Sequence, residues 1–308
     1  MYNKAFEDRN KIIDKIFKFI FMAGAVISSS FIVILVLFIF MKGISPFLPN
    51  YQYGQVNLLD FIFGMTYRQD KKIYGVGFIV INTFISGFAS LLLSFPISTL
   101  CALFIVKIAP KRASEIMKSV VELLASVPSI VYGVFGSGII VHLVMKLAAI
   151  FNITTAGGSS LLAVILLLAI MIFPTITSMA ITAIQAVDKD LENASLALGA
   201  TKTQTNFKVV LTSAKSGIFA GAILGLGRAF GEATAVSMVA GNKLYGPTFN
   251  LFDITRTLTS TMLAGLKETS GLDYDIRFSV GIVLLFVIFV SNFILNKVKD
   301  KVGNMSWK

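Results

Sequence analysis

Cysteine, histidine and charge are all scarce in this sequence, and each shortage removes a class of chemistry. The one cysteine, Cys101, sits in an apolar stretch, so no intrachain disulfide can form and the thiol reads as packing. The one histidine, His142, rules out a histidine metal cluster. A lone histidine in an apolar helix is more often packed or hydrogen-bonded than a ligand, and no Cys/His ligand spacing is present. The glycine-lysine pattern of a Walker A phosphate loop is missing, so nucleotide binding and hydrolysis are not expected here. Serine nucleophiles lack a histidine at workable spacing. The net charge of +11 comes without a basic arm or an aromatic stacking motif, which argues against nucleic acid.

What is abundant is apolar sequence. With 56% hydrophobic residues, 14% charged residues and a mean hydropathy of +0.82, the chain carries more apolar surface than one soluble core can hide. It is expected to be an all-α integral membrane protein. Six segments are long enough to cross a hydrocarbon core, which takes roughly 20 helical residues: 17–41, 78–106, 119–147, 160–186, 217–240 and 277–296. The first is too long for a signal-peptide core and no small-residue cleavage site follows it, so it reads as a retained helix. Pro96, Pro128 and Pro174 are expected inside the second, third and fourth segments, where freed backbone groups need partners.

Orientation follows from the basic residues between segments. With both termini inside, seventeen of the 27 Lys and Arg face the cytoplasm. The outer set is Lys42, Arg68, Lys71, Lys72, Lys146, Lys243, Arg256, Lys267 and Arg277, with Arg228 inside the fifth segment. The domain plan is then a cytoplasmic segment 1–16, a first transmembrane helix 17–41, an outer loop 42–77, a five-helix core 78–296 and a cytoplasmic tail 297–308. In the outer connection 241–276, Asp253 can cap a helix bearing Ile254, Leu258, Met262 and Leu266, with Gly265 and Gly271 loosening its end. A short helix lying at the outer membrane surface is the simplest reading.

One polar interruption of the core, 187–216, carries the clearest local pattern. Leu191, Ala194, Ser195 and Leu198 recur at helical spacing after Asp188 or Asp190 as N-cap, and Gly199 ends that helix. Thr201 and Gln204 stand three apart as a capping box for a second helix, whose apolar side is Phe207, Val209, Val210 and Leu211. Such a small, half-apolar helix pair can insert into a groove on a soluble partner.

The fifth segment holds the other pattern. Gly217, Gly221, Gly225, Ala229 and Ala233 repeat every four residues, leaving a flank where another helix can approach closely. Beside it stand Arg228 and Glu232, one turn apart. An unpaired arginine near the midplane costs at least about 2.5 to 3.5 kcal/mol on insertion scales. Two readings follow: an intrahelical pair with Glu232, or a guanidinium facing a water-filled path that meets an anion with two parallel donors. Glu122, at the cytoplasmic end of the third segment, is a weaker candidate.

These stretches resemble a known family. The helix pair is similar to the EAA loop of ABC-transporter permeases: Asn193, Ala194 and Ser195 occupy the first triplet, Gly199 the glycine, and Val209, Leu211 and Thr212 the last part. Asn193 stands where that pattern has Glu, beside Glu192, and Thr212 where it has Pro. Together with ELLASVPSIVYGVFG (122–136) and GLGRAFGEATAVSMVAGN (225–242), the chain from about Tyr74 onward resembles the phosphate-uptake ABC permeases, closer to the C-type (PstC-like) than to the A-type subunit.

The resemblance implies a type I importer (MetI-like) fold in the prokaryotic cytoplasmic membrane and a non-catalytic transport subunit without cofactors of its own. It further implies a homologous A-type permease, a dimer of ATPase subunits that bind ATP, and an extracytoplasmic phosphate-binding protein as partners. Gly199 and its neighbours would meet the ATPase, and Arg228 and Glu232 would lie on the phosphate path. The residues alone leave open a permease for another oxyanion, such as sulfate or molybdate. They also leave open an ion-coupled secondary transporter or channel, which would leave the Gly199 helix pair unexplained; a membrane enzyme fits least.

Overall fold

The computed structural model describes residues 2–304; Met1 and the end of the 297–308 tail, with Lys308, lie outside the described residues. Helix α1 (Tyr2–Ile44) leads into a long connection with a 3-10 turn, a short α2 (Leu58–Phe63) and an antiparallel ribbon of β1 (Tyr67–Arg68) and β2 (Ile73–Tyr74). Then come α3 (Gly77–Leu103), α4 (Lys111–Ser126), α5 (Ser129–Phe135), α6 (Val141–Ile150) and α7 (Leu161–Gln185). The helix pair is α8 (Lys189–Ala197) and α9 (Lys202–Gln204), the latter running through a π-helical stretch into α10 (Leu211–Gly231). Helices α11 (Thr234–Val239), α12 (Leu258–Leu263) and α13 (Leu272–Asn304) complete the chain. Six spans among the described residues are long and apolar enough to cross a membrane: Ile13–Phe47, Gly77–Ile108, Ser129–Ile150, Leu161–Gln185, Lys202–Gly231 and Leu272–Lys301.

Two of the six differ from the sequence reading. The third does not run from 119: α4 is a separate amphipathic helix carrying Glu115, Lys118 and Glu122, and the chain breaks at Val127 before α5. Proline disfavours helical geometry in the residue before it, and Val127 is extended (φ −64°, ψ 127°). Pro128 is therefore the N-cap of α5 rather than a kink inside a span. The Tyr132 hydroxyl donates to the Leu124 carbonyl across the break (2.8 Å). The fifth span starts earlier, at Lys202, and stops at Gly231, where Glu232 turns extended (ψ 113°).

Helix α7 is the centre, with 67% of its span buried inside the protein. Its N-cap Ser160 accepts from the Ala163 amide (3.1 Å). Against it packs α3, whose Asn82, Ser86, Ser90, Ser94 and Ser98 recur every fourth residue and are all buried. These polar side chains need partners away from water, and Ser98 finds one on α7 itself, the carbonyl of Phe173 just before Pro174 (3.2 Å).

On another side α10 lies against α7 along its glycines. A Cβ at Gly217 would stand 2.6 Å from Ala183 Cβ, one at Gly221 2.9 Å from Met179 Cβ, and one at Gly225 2.8 Å from Ile176 Cγ1. Ala229, the next in that series, is buried in the same cluster as Ile176. The backbones approach because these side chains are missing, the usual route to helix association in a membrane.

The two long connections, 42–77 and 241–276, are tied to the helices by side-chain hydrogen bonds. The hydroxyls of Tyr51 and Tyr74 donate to Asp275 (2.7 Å) and Asp273 (2.6 Å), which tie the 42–77 loop to the first turn of α13. Helix α12 is capped by Thr257 with Ser260, not by Asp253, which pairs with Lys243 at 3.0 Å. It is buried, with the Leu258 amide donating to Thr83 of α3 (3.0 Å). The surface-helix reading is thus overturned: Ile254 and Leu266 fall outside the helix, and three hydroxyl residues, Thr259, Ser260 and Thr261, pack inward.

Candidate functional site

Two regions gather the chemistry. The first is the 187–216 connection. Asp188 caps α8, its carboxylate accepting from the Asp190 amide (2.9 Å). Gly199 closes the turn at φ +86°, a left-handed conformation that glycine adopts without steric cost. Thr201 and Gln204 form a reciprocal capping box at the start of α9.

Two polar contacts hold the pair to the body. Ser195 and Thr205 share a hydroxyl hydrogen bond of 2.9 Å, and Glu192 forms an ion pair with Lys107 at the end of the second span. Both anchors lie in π-helical stretches, Phe104–Ile108 and Thr205–Val210. Val210 is buried, Val209 and Leu211 are half-buried, and Asn193, Ala194 and Gly199 face outward. Leu198 is 90% exposed, and Leu191, Leu196 and Phe207 are exposed as well. An apolar side chain held out by a rigid turn, unshielded by its own protein, has the form of a docking knob.

The second region is the break after α10. Arg228 sits in the last turn of that helix, half-buried, and its Nη1 donates to Thr175 Oγ1 at 2.8 Å. Thr175 follows Pro174 inside α7. Glu232 is not one helical turn above Arg228, because the helix has already ended. Its Oε1 accepts from the Ala235 amide (2.9 Å) and caps α11, while its backbone carbonyl accepts from Thr259 Oγ1 (2.7 Å).

The intrahelical Arg228–Glu232 pair does not form: among the described ion pairs, neither residue takes part. The physical reason is the break, which redirects Glu232 to an amide freed at the start of α11. Arg228 is left with one hydroxyl partner and most of its five donors unused. A planar guanidinium at a discontinuous transmembrane helix, with no carboxylate to neutralise it, suits an anion that presents two oxygens.

The sequence reading missed four residues of this region. Thr175 and Thr259 gave no signal, since each meets its partner across a long stretch of chain. Arg256 and Arg277, taken as outer topology charges, are buried at 5% and 2% exposure. Arg277 donates from Nη1 to the carbonyls of Thr261, Met262 and Ala264 at the end of α12, where a positive charge meets the negative end of the helix. At the edge of the sixth apolar run and preceded by Asp273 and Asp275, Arg277 gave no signal of the kind that flagged Arg228 deep inside the fifth. Arg256 stacks on the Tyr67 ring at 4.6 Å, and burial lowers its pKa and raises that of Tyr67.

The weaker candidates gather nothing around them. Glu122 lies exposed on α4, His142 is exposed on α6, and Cys101 packs against the cluster of α3, α7 and α10. Among the described residues no group of His, Cys, Asp and Glu is placed to hold a metal.

Comparison with known proteins agrees with this architecture. A family model described as "Binding-protein-dependent transport system inner membrane component" matches residues 94–302. The "Probable ABC transporter permease protein YqgH" of Bacillus subtilis is 33% identical over 278 residues, covering 89% of this chain and 86% of that protein. The "Phosphate transport system permease protein PstC" of Pasteurella multocida is 31% identical over 251 residues, covering 76% of this chain and 78% of that one. Among solved structures, a chain of a bacterial alginate ABC transporter in complex with its alginate-bound periplasmic protein superposes with TM-score 0.61 at 18% identity, over 92% of this chain and 95% of that chain. At that identity the likeness concerns the fold.

Proposed function

This chain belongs to the family of binding-protein-dependent transport system inner membrane components, and we propose that it is the C-type permease subunit of an ATP-driven importer for inorganic phosphate. It is a multi-pass inner-membrane permease of the ABC importer kind. In the proposed complex it forms half of a translocation path with a homologous A-type permease. ATP is bound and hydrolysed by a separate ATPase dimer, and an extracytoplasmic phosphate-binding protein delivers the substrate at the outer loops. Both termini lie in the cytoplasm.

The observation that carries the substrate class is Arg228, a half-buried cation at a helix break that no carboxylate neutralises. The relatives whose names include phosphate transport narrow that class to phosphate. The 187–216 helix pair supports ATPase coupling: Leu198 and the outward residues Asn193, Ala194 and Gly199 enter a groove on the ATPase, and Lys107 and Thr205 carry its movement into the second and fifth spans. Rocking of those spans about the buried face of α7 then alternates access to Arg228.

The test is uptake of radiolabelled phosphate into vesicles carrying the whole complex, with and without ATP, for wild type and Arg228→Gln at equal membrane abundance. ATP-dependent uptake that vanishes in the variant is the expected result. Uptake that survives the substitution removes Arg228 from the path. Transport of sulfate or molybdate in place of phosphate keeps the permease and replaces the substrate. Uptake driven by an ion gradient without the ATPase overturns the importer reading.

A further inference from the structure

Where the C-terminal end of α1 meets the first turn of α13, the protein forms an open groove of about 590 Å³. Its α1 wall is one helical face, with Phe38, Met41 and Lys42 at i, i+3 and i+4, and Ser45 continues it at the start of the 3-10 turn. Opposite stand Tyr51 and Asp275. Phe38 lies one turn, about 5.4 Å, from Lys42 toward the middle of the helix, and Asn50 and Gln52, both exposed, line the groove from the loop that follows the helix, which is its outer end.

The charges here are balanced and incompletely used. Lys42 Nζ lies 3.4 Å from Asp275 Oδ1, a long contact, and the lysine is 44% exposed while the aspartate is 8% exposed. Asp275 Oδ2 is taken by Tyr51 at 2.7 Å. An ammonium has three donors, so at least two on Lys42 remain for another acceptor. Below it, none of the most apolar window of α1 is buried inside the protein, so that face must be covered by something apolar.

We propose that this groove seats the head group of a zwitterionic phospholipid bearing a primary amine. The phosphate takes the free donors of Lys42, the ammonium donates to the Asn50, Gln52 and Tyr53 oxygens at the outer end, and an acyl chain runs down past Met41 and Phe38. The balance of one lysine against one aspartate selects a head group of zero net charge over an anionic one, which would add an uncompensated charge. Acceptors at the outer end select a primary amine over choline, which has no N–H to donate. The site is independent of which solute the complex carries.

The experiment reconstitutes the complete complex in nanodiscs of equal parts phosphatidylethanolamine, phosphatidylcholine and phosphatidylglycerol, re-extracts it in mild detergent and measures retained lipid by mass spectrometry. Expected is a roughly threefold excess of phosphatidylethanolamine, the scale of a solvent-exposed ion pair, falling to the bulk ratio in Lys42→Gln. If that variant does not assemble, Met41→Trp fills the lower half from a side chain that is 75% exposed, and the excess must fall there too. Bulk proportions in the wild type overturn the proposal, and so does an excess of phosphatidylglycerol. A photoreactive group at position 41 that links to a protein chain instead of lipid also overturns it.

Discussion

Arg228 on α10 donates to Thr175 on α7 over 2.8 Å, and among the described residues this is the one hydrogen bond through which a neighbouring span orients the guanidinium. Because the partner is a neutral hydroxyl, the bond aims the charge without cancelling it. Replacing Thr175 with Val, which keeps the branched shape, should raise the phosphate KM about five- to tenfold, as one hydrogen bond to a charged group is worth roughly 1 to 1.5 kcal/mol at a partly solvated site. Thr175→Ser should restore it. A variant that lowers maximal uptake with KM unchanged would assign Thr175 to packing instead.

The turn at Gly199 separates backbone conformation from space. No atom lies within 4 Å of a Cβ added there, but φ is +86°. A β-branched residue should therefore distort the turn, at a cost of about 1 to 3 kcal/mol, while Asn, which tolerates the left-handed region, should be accepted. Gly199→Val is expected to cut ATP-driven uptake at least severalfold without removing the protein from the membrane, and Gly199→Asn to leave it nearly intact. Equal activity in both would remove this turn from coupling.

Helix α10 offers a contrast within one element. Gly221→Val places its first carbon 2.9 Å from Met179 Cβ, and overpacking of this kind costs about 1 to 3 kcal/mol. Gly227→Ala meets nothing within 4 Å and should gain a few tenths to about 1 kcal/mol from helix propensity. Thermal unfolding in detergent should shift down for the first and not at all or upward for the second. A parallel drop in both would argue that the whole helix, rather than its glycine face, is sensitive to bulk.

Tyr51 and Tyr74 hold the outer loop through their protonated hydroxyls. Burial first, and then the bonds to Asp275 and Asp273, raise both tyrosine pKa values above the ordinary 10.0. The folded pKa lies above the unfolded one, so this contribution is intact below pH 10 and declines as pH rises beyond it. Protease cleavage in residues 42–77 should therefore increase above about pH 10. In the double variant Tyr51→Phe, Tyr74→Phe, cleavage should be faster at neutral pH and should lose much of that rise. An alkaline rise of the same size in the double variant would place the titrating group elsewhere.

Much of this molecule was determined locally. The apolar runs announced the spans because a bilayer core demands them, and the helix pair around Gly199 was legible because its caps are residues two or three apart that satisfy their own neighbours' amides. The four-residue glycine spacing marked a close-approach face from sequence alone, since it is a property of one helix. What the sequence could not supply was which element met that face. Ala183, Met179 and Ile176 of α7 do so, a choice made by packing six spans together.

The same limit explains the errors. Pro128 and Glu232 lie within long, mostly apolar runs, so both looked helical; the first break follows from Pro128 itself and is bridged nearby by the Tyr132 hydroxyl, whereas at the second Thr259 on α12 holds the Glu232 carbonyl from across the fold. Arg256 and Arg277 looked like surface charges because burial of a cation depends on carbonyls and a ring that only the folded chain assembles. Periodicity and caps act within a few residues and can be read in order. The partner of a buried polar group is found across the fold, so only the tertiary structure decided where Arg228 would point and that Glu232 would not neutralise it.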